Sequence, residues 1–301
     1  MRGAVADGNA DNFVRAHDVA SALSVLAEGS CRILAGGTDV FPALQDRPLS
    51  GLVLDISGIK TLRRIEDLGD VWSIGAAASW RDVMDAPLPA AFDGVKAAAA
   101  AVGSWQIQNR ATVVGNICNA SPAADGVPPL LTLDAEVRLE SQRGVRQMPL
   151  AAFVRGNRRT ECADDEMVTA IIVPKTATAG QGYFYKLGAR RYLVISIGMV
   201  AMRLLCDDNK QLSEIAIAVG ACSEVAQRLD GLEHCLRGQA LARAAGLVTA
   251  DHFASLSPID DVRAPASYRH YAVQEIVTRL LVAANKAANG EAYEEASDRA
   301  L

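Results

Sequence analysis

Two short stretches carry residue types from which a ligand site could be made. "ILAGGTDV", residues 33–40, runs from an apolar segment into two adjacent glycines, a hydroxyl and a carboxylate. Paired glycines adopt backbone angles that other residues resist and let a ligand approach the peptide groups closely. A bound phosphate is one chemistry for such a loop. A strand-ending turn is the other, because Gly, Thr and Asp are common turn residues. "ATVVGNICNASPAAD", residues 111–125, supplies a hydroxyl at Thr112, a glycine and an amide at Gly115 and Asn116, and a carboxylate at Asp125. A loop of this kind offers N–H groups and side-chain acceptors to a ligand without being a helix-start phosphate site. Alone, it reads first as a connection between elements.

Other chemistries are poorly supported. The six cysteines, among them Cys118 and Cys162, form no C-x-x-C pair, so no metal or iron–sulfur framework is expected within this chain. The four histidines show no HExxH spacing. No G-x-G-x-x-G opens a βαβ unit and no G-x-x-x-x-G-K-[ST] loop occurs, which disfavours a Rossmann NAD domain and a P-loop ATPase. A formal charge of −5 gives no general attraction to nucleic acid or to an anionic membrane, although Arg190 and Arg191 could meet an anion locally. No apolar run approaches the roughly 18 to 20 residues of a membrane span, and the first residues lack a secretory signal pattern. A cytoplasmic protein is expected.

The elements that must position the two stretches are readable in outline. At 301 residues the chain has room for two domains. Residues 18–28 open on an acidic cap candidate and repeat apolar residues at helical spacing, leading into a strand at 32–35. The glycine loop therefore ends a strand. Further strands are expected at 51–55, 71–76, 135–140 and 167–173, and helices from Ser79 and over the alanine-rich 89–103. The small, flexible 175–182 marks a boundary near residue 178. Beyond it, strands at 182–188, 197–205 and 212–219 and helices at 224–237, 239–249 and 266–288 predict a sheet backed by helices. Residues 289–301 are expected to form a polar tail.

Together, L-A-G-G-T-D at 34–39 and G-N-I-C-N-A-S-P-A-A-D at 115–125 resemble the two FAD-binding loops of the flavoprotein subunit of molybdenum hydroxylases, the family of xanthine dehydrogenase and aerobic carbon monoxide dehydrogenase. "GSWQIQNRAT" (103–112), "YFYKLGARR" (183–191) and "DDVRAPASYRHYAV" (261–274) extend the resemblance over most of the chain. It implies an α+β fold: an FAD-binding region of two small α+β subdomains over 1–177, of the vanillyl-alcohol-oxidase type, and a C-terminal α+β domain over 178–288 with an antiparallel sheet backed by helices. Carried over by motif, Leu34, Ala35, Gly36, Gly37, Thr38, Asp39 and Val40 border the FAD pyrophosphate, and Thr112, Gly115 and Asn116 complete that grip. Asp125 matches the family carboxylate near the cofactor, Val168 an apolar contact, and Lys186 a lysine that serves either a phosphate or the charge of reduced flavin. Val114 stands where many relatives carry a first glycine, and Val194 where many are acidic.

The same resemblance implies FAD in this chain and two partners, a small subunit with 2Fe-2S clusters and a large molybdopterin subunit, in a heterotrimer or a dimer of heterotrimers. Electrons would pass from the iron–sulfur clusters to FAD and on to an external acceptor. No residue is given a catalytic role. A self-sufficient flavin oxidoreductase and a flavin-less scaffold are the competing readings. Purine, another N-heterocycle, an aldehyde and carbon monoxide all stay open as substrate, as do NAD, oxygen and quinone as acceptor.

Overall fold

The computed structural model describes residues 12–45 and 47–291. The expected tail lies outside the described residues from 292 onward.

The chain begins with β1 (Phe13–Arg15), α1 (Val19–Glu28), β2 (Arg32–Leu34), α2 (Val40–Leu44) and β3 (Val53–Asp55). Asp18 caps α1, its carboxylate accepting the Ser21 N–H at 2.8 Å, and Ala22 and Leu26, one turn apart, are buried. The strands form a parallel sheet in the order β1-β3-β2, with Leu54 of the central strand facing Val14 and Ile33. The glycine loop thus leaves the carboxyl end of an edge strand, where ligands of parallel sheets commonly bind.

A second, antiparallel sheet follows. Its strands are β4 (Ile65–Asp67), β5 (Val71–Gly75), β6 (Glu136–Ser141), β7 (Gly144–Pro149) and β10 (Met167–Pro174), in the order β4-β5-β10-β6-β7, with β8 (Val154–Gly156) and β9 (Arg159–Thr160) as a separate hairpin. The alternation in β6 buries Val137 and Leu139, while β10 is buried along nearly its whole length. Between β5 and β6 lie α3 (Trp80–Asp85), α4 (Asp93–Ala101), α5 (Trp105–Gln108), α6 (Val113–Asn119) and α7 (Val127–Thr132), and α8 (Leu150–Phe153) follows β7. Trp80, Phe92, Leu130, Leu139 and Phe153 belong to one core shared by these elements and the parallel sheet.

One expectation is corrected here. Residues 113–119, read as loop, are helical. The Thr112 side chain accepts the Gly115 N–H at 2.9 Å, satisfying a donor that the first turn would leave free, and Val113, Val114 and Ile117 bury one face.

The C-terminal part is an antiparallel sheet of β11 (Gln181–Leu187), β12 (Gly198–Cys206), β13 (Leu212–Gly220) and β14 (Gln227–Arg228), in that order. The long α11 (Ala266–Ala288) buries Val273, Ile276, Val277, Leu280, Leu281 and Ala284 at three- and four-residue intervals, in a second core with Val200, Ile217 and Leu232. The helices expected at 224–237 and 239–249 are shorter: α9 (Asp230–Leu236) starts late because β14 takes residues 227–228 into the sheet, and α10 (Leu241–Ala244) gives way to a 3-10 turn at Ala245–Leu247. The two parts meet closely. A Cβ on Gly94 of α4 would lie 2.9 Å from the Tyr183 carbonyl, and one on Gly182 would lie 2.2 Å from that of Ala91.

Candidate cofactor-binding cleft

A cavity of about 480 Å³ opens between the two N-terminal sheets. Ala35 to Val40 and Ile56 reach it from the carboxyl ends of β2 and β3. Ala76, just after β5, and Met167 and Val168 of the antiparallel β10 reach it from the opposing sheet. Thr112, Val114, Gly115 and Asn116 of the capped helix close it, with Val102 and Ile107 at its edge.

The structure brings together ten of the thirteen residues singled out by sequence: Ala35, Gly36, Gly37, Thr38, Asp39, Val40, Thr112, Gly115, Asn116 and Val168. Leu34 lies underneath, 7% exposed, with its side chain below Gly37. Asp125 and Lys186 are not part of the cavity wall. They pair with each other, the Lys186 Nζ standing 2.6 Å from the Asp125 carboxylate, which also accepts the Ser196 hydroxyl at 2.6 Å. Lys186 donates further to the Ala101 carbonyl at 3.2 Å, one residue before Val102 of the cavity. Burial pushes the Asp125 carboxyl up, while Lys186 and Ser196 pull against it.

The two glycines have separate reasons. Gly37 has φ +75°, and a Cβ there would lie 2.6 Å from the Phe41 ring. Gly36 has no positive φ, but its Cβ would fall 2.0 Å from the Arg110 carbonyl. The first loop is therefore pressed against the stem of the second.

The donors left over are those an anionic, ring-bearing ligand needs. Among the described residues, the N–H groups of Gly36, Gly37, Thr38 and Asp39 make no backbone hydrogen bond. The Asn116 side-chain oxygen accepts the Gly126 N–H at 3.2 Å, which leaves its amide NH2 to donate elsewhere. Ile33, Ile56, Val102, Ile107 and Val114 supply an apolar wall. Trp80 also lines the cavity, fully buried, and among the described residues its indole N–H has no acceptor. Val114 is part of that wall and 4% exposed. Cys162 lines the cavity too, but burial pushes its thiol up to about 11, so it stands protonated at neutral pH.

Sequence reasoning missed Ile56, Ala76, Trp80, Ile107, Thr160 and Met167. Ile107 lies in the "GSWQIQNRAT" segment that resembled the family, and Ala76 and Trp80 flank the expected strand end and helix start. Ile56, Thr160 and Met167 carry no local signal.

An α+β chain with two donor-bearing loops over a partly apolar cleft presents a site for an anionic cofactor with an apolar part. Residues 9–176 match the family described as the FAD binding domain in molybdopterin dehydrogenase, and residues 183–284 match the CO dehydrogenase flavoprotein C-terminal domain. The chain belongs to the FAD-binding subunits of the molybdenum hydroxylase family. It is 30% identical to the nicotine 6-hydroxylase medium subunit of Paenarthrobacter nicotinovorans over 84% of this chain and 89% of that one. It is 37% identical to the nicotinate dehydrogenase FAD-subunit of Eubacterium barkeri, a match spanning 58% of this chain and 61% of that relative's length. Among solved structures, a chain of a carbon monoxide dehydrogenase from Hydrogenophaga pseudoflava that lacks the Mo-pyranopterin moiety of its cofactor aligns with TM-score 0.78 and 25% identity, over 89% of this chain and 94% of that one. The free loop N–H groups, the Asn116 amide and the apolar wall fit FAD.

Proposed function

We propose that this chain is the electron-transfer flavoprotein of a three-component molybdenum hydroxylase, receiving electrons from the 2Fe-2S clusters of a small subunit and passing them to an external acceptor. One observation carries the reading: the 35–40 loop and Thr112 to Asn116, far apart in sequence, converge on one cleft, where among the described residues the N–H groups of Gly36 to Asp39 make no backbone hydrogen bond and the Asn116 amide NH2 is left to donate. FAD supplies, when bound, an exchange between one-electron carriers and a two-electron acceptor. The chain's part is to bind and orient. The N–H groups of Gly36 to Asp39 and the Asn116 amide meet the phosphates, while Ile33, Ile56 and Val114 exclude water along the apolar wall. Leu34 supports the first loop from below, and Val168 gives an apolar contact. Lys186, paired with Asp125, holds the Ala101 carbonyl one residue before Val102 of the cleft, and in this reading the pair supports the cofactor from behind that wall.

The relatives named as an FAD-subunit and a medium subunit support a place among other subunits. In this reading a large molybdopterin subunit oxidises the substrate, the heterotrimer is cytoplasmic, and two heterotrimers can pair. The division near residue 178 into an FAD-binding domain and a C-terminal domain is supported by their separate cores.

The test is to purify the native complex and record its visible spectrum with a metal and subunit inventory. FAD with iron–sulfur absorbance, molybdenum and two further subunits is the expected result. FAD on an isolated chain that oxidises a substrate unaided would overturn it in favour of a self-sufficient oxidoreductase, and a chain without flavin would leave a scaffold.

A further inference from the structure

We propose that Trp80 is an additional cofactor-binding residue, its indole N–H donating to an acceptor oxygen or ring nitrogen of bound FAD; the inference rests on FAD occupying the cleft.

The backbone of Trp80 is fixed at the cleft by an unusually complete set of bonds. It is the first residue of α3, whose cap is reciprocal: Ser79 Oγ accepts the Asp82 N–H at 3.1 Å, and the Asp82 carboxylate accepts the Ser79 N–H at 2.9 Å. Arg63 holds that carboxylate by two bonds of 2.9 and 3.0 Å. The Trp80 backbone N–H donates to the Ala111 carbonyl at 3.0 Å, immediately before Thr112, so the residue is tied to the second cofactor loop. Its ring is wedged against Gly126, where a Cβ would lie 2.5 Å from Cη2.

Against this background the indole nitrogen stands out. Trp80 is 0% exposed and lines the cavity, yet among the described residues no acceptor meets Nε1. Buried Trp N–H groups ordinarily find a partner. Packing alone does not call for tryptophan here, since an aromatic ring without a polar atom fills an apolar slot with no orphaned donor. The ligand of the cavity is the acceptor that completes the site. Asn116, whose side chain also approaches Gly126, puts a second donor in the same region.

The experiment uses the full chain stripped of flavin. Trp80 is replaced by 3-benzothienylalanine, which keeps the bicyclic shape and puts sulfur in place of N–H, and in a second variant by phenylalanine (W80F). FAD affinity is measured by equilibrium dialysis and thermal stability by calorimetry, with and without FAD. The benzothienyl protein is expected to keep or exceed the apoprotein Tm while binding FAD about tenfold more weakly, the equilibrium equivalent of one hydrogen bond. W80F should weaken FAD binding at least as much, and both should shrink the rise in Tm that FAD produces. A purely structural tryptophan would instead lower the apoprotein Tm and leave FAD affinity within about twofold in the benzothienyl variant, which would overturn the proposal. Failure of the unaltered chain to bind FAD would overturn the cofactor reading itself, so the two failures are distinguishable.

Discussion

Gly36 decides how close the two cofactor loops can come. Its Cβ would sit 2.0 Å from the Arg110 carbonyl oxygen, a backbone atom that cannot swing aside as a side chain could. G36A must therefore push the loops apart and is expected to cost about 3 kcal/mol, the upper end for overpacking. Urea unfolding of the apoprotein measures this, and dialysis against FAD should show binding lost with it. An alanine variant of wild-type stability would show that the loops are not in contact. In the sequence this glycine was legible as a site residue but not for its reason: adjacency in "AGGTD" speaks of a turn or a ligand, whereas the contact with Arg110 spans more than seventy positions. The same distance hides Trp80, Thr160 and Met167, which enter the cleft from three different elements with no shared spacing. Asp125 was visible as a carboxylate in a patterned loop, but the identity of its partners, Lys186 and Ser196, exists only in the folded chain.

Among the elements, those long enough to repeat an apolar pattern against a core were legible, while the short α6, with one buried face, and the solvated edge strand β7 were not. The alternation of β6 and the helical repeat of α11 match the structure because Val137, Leu139, Ile276 and Leu280 are buried. β7 went unseen because almost all of it is exposed, so "GVRQMP" has no face to mark. Such an edge is held by charge instead. Glu166, next to the first residue of β10, accepts two bonds of 2.7 Å from Arg146 of β7 across the intervening β6. Those bonds, foremost among its surroundings, hold the Glu166 carboxyl below the ordinary glutamate value of 4.5. A carboxyl with a lowered folded-state pKa adds stability above its unfolded pKa and loses it as pH falls through the folded one. E166Q should therefore cost about 1 kcal/mol at pH 7, a figure kept small because the Arg146 side chain is 44% exposed and water screens the pair. Below pH 4.5 the gap between the two proteins should close. Urea midpoints from pH 7 down to pH 3 follow it, and a gap that stayed constant would mean that Glu166 acts through shape and not through charge.

At the scale of the whole molecule, the N- and C-terminal parts are joined by arginine and lysine reaching back across the junction. Arg203 of β12 donates to the Thr132 carbonyl at 2.9 Å and Arg228 of β14 to that of Leu131 at 2.9 Å, both at the carbonyl end of α7. The Lys186–Asp125 link is an enclosed ion pair, its side chains 10% and 9% exposed. Because Lys186 is the penultimate residue of β11 and Ser196 stands two residues before β12, one carboxylate grips both roots of the connection between those strands. Removing the cation alone leaves a buried negative charge, so K186M should cost about 3 kcal/mol at pH 7, while D125N/K186M should cost less than the sum of the two single changes. The pH dependence follows from burial, which already pushes the Asp125 carboxyl up and in K186M does so without the opposing lysine. A carboxyl whose folded-state pKa is raised destabilises the fold above that pKa and ceases to do so as pH falls through it. The K186M deficit, measured as urea midpoints at pH 7 and pH 5, should therefore shrink on acidification while that of the double variant stays level. Parallel curves for the two variants would instead mean that the lysine contributes packing and not charge, and that the junction is held by Arg203, Arg228 and the close contact of Gly94 with β11.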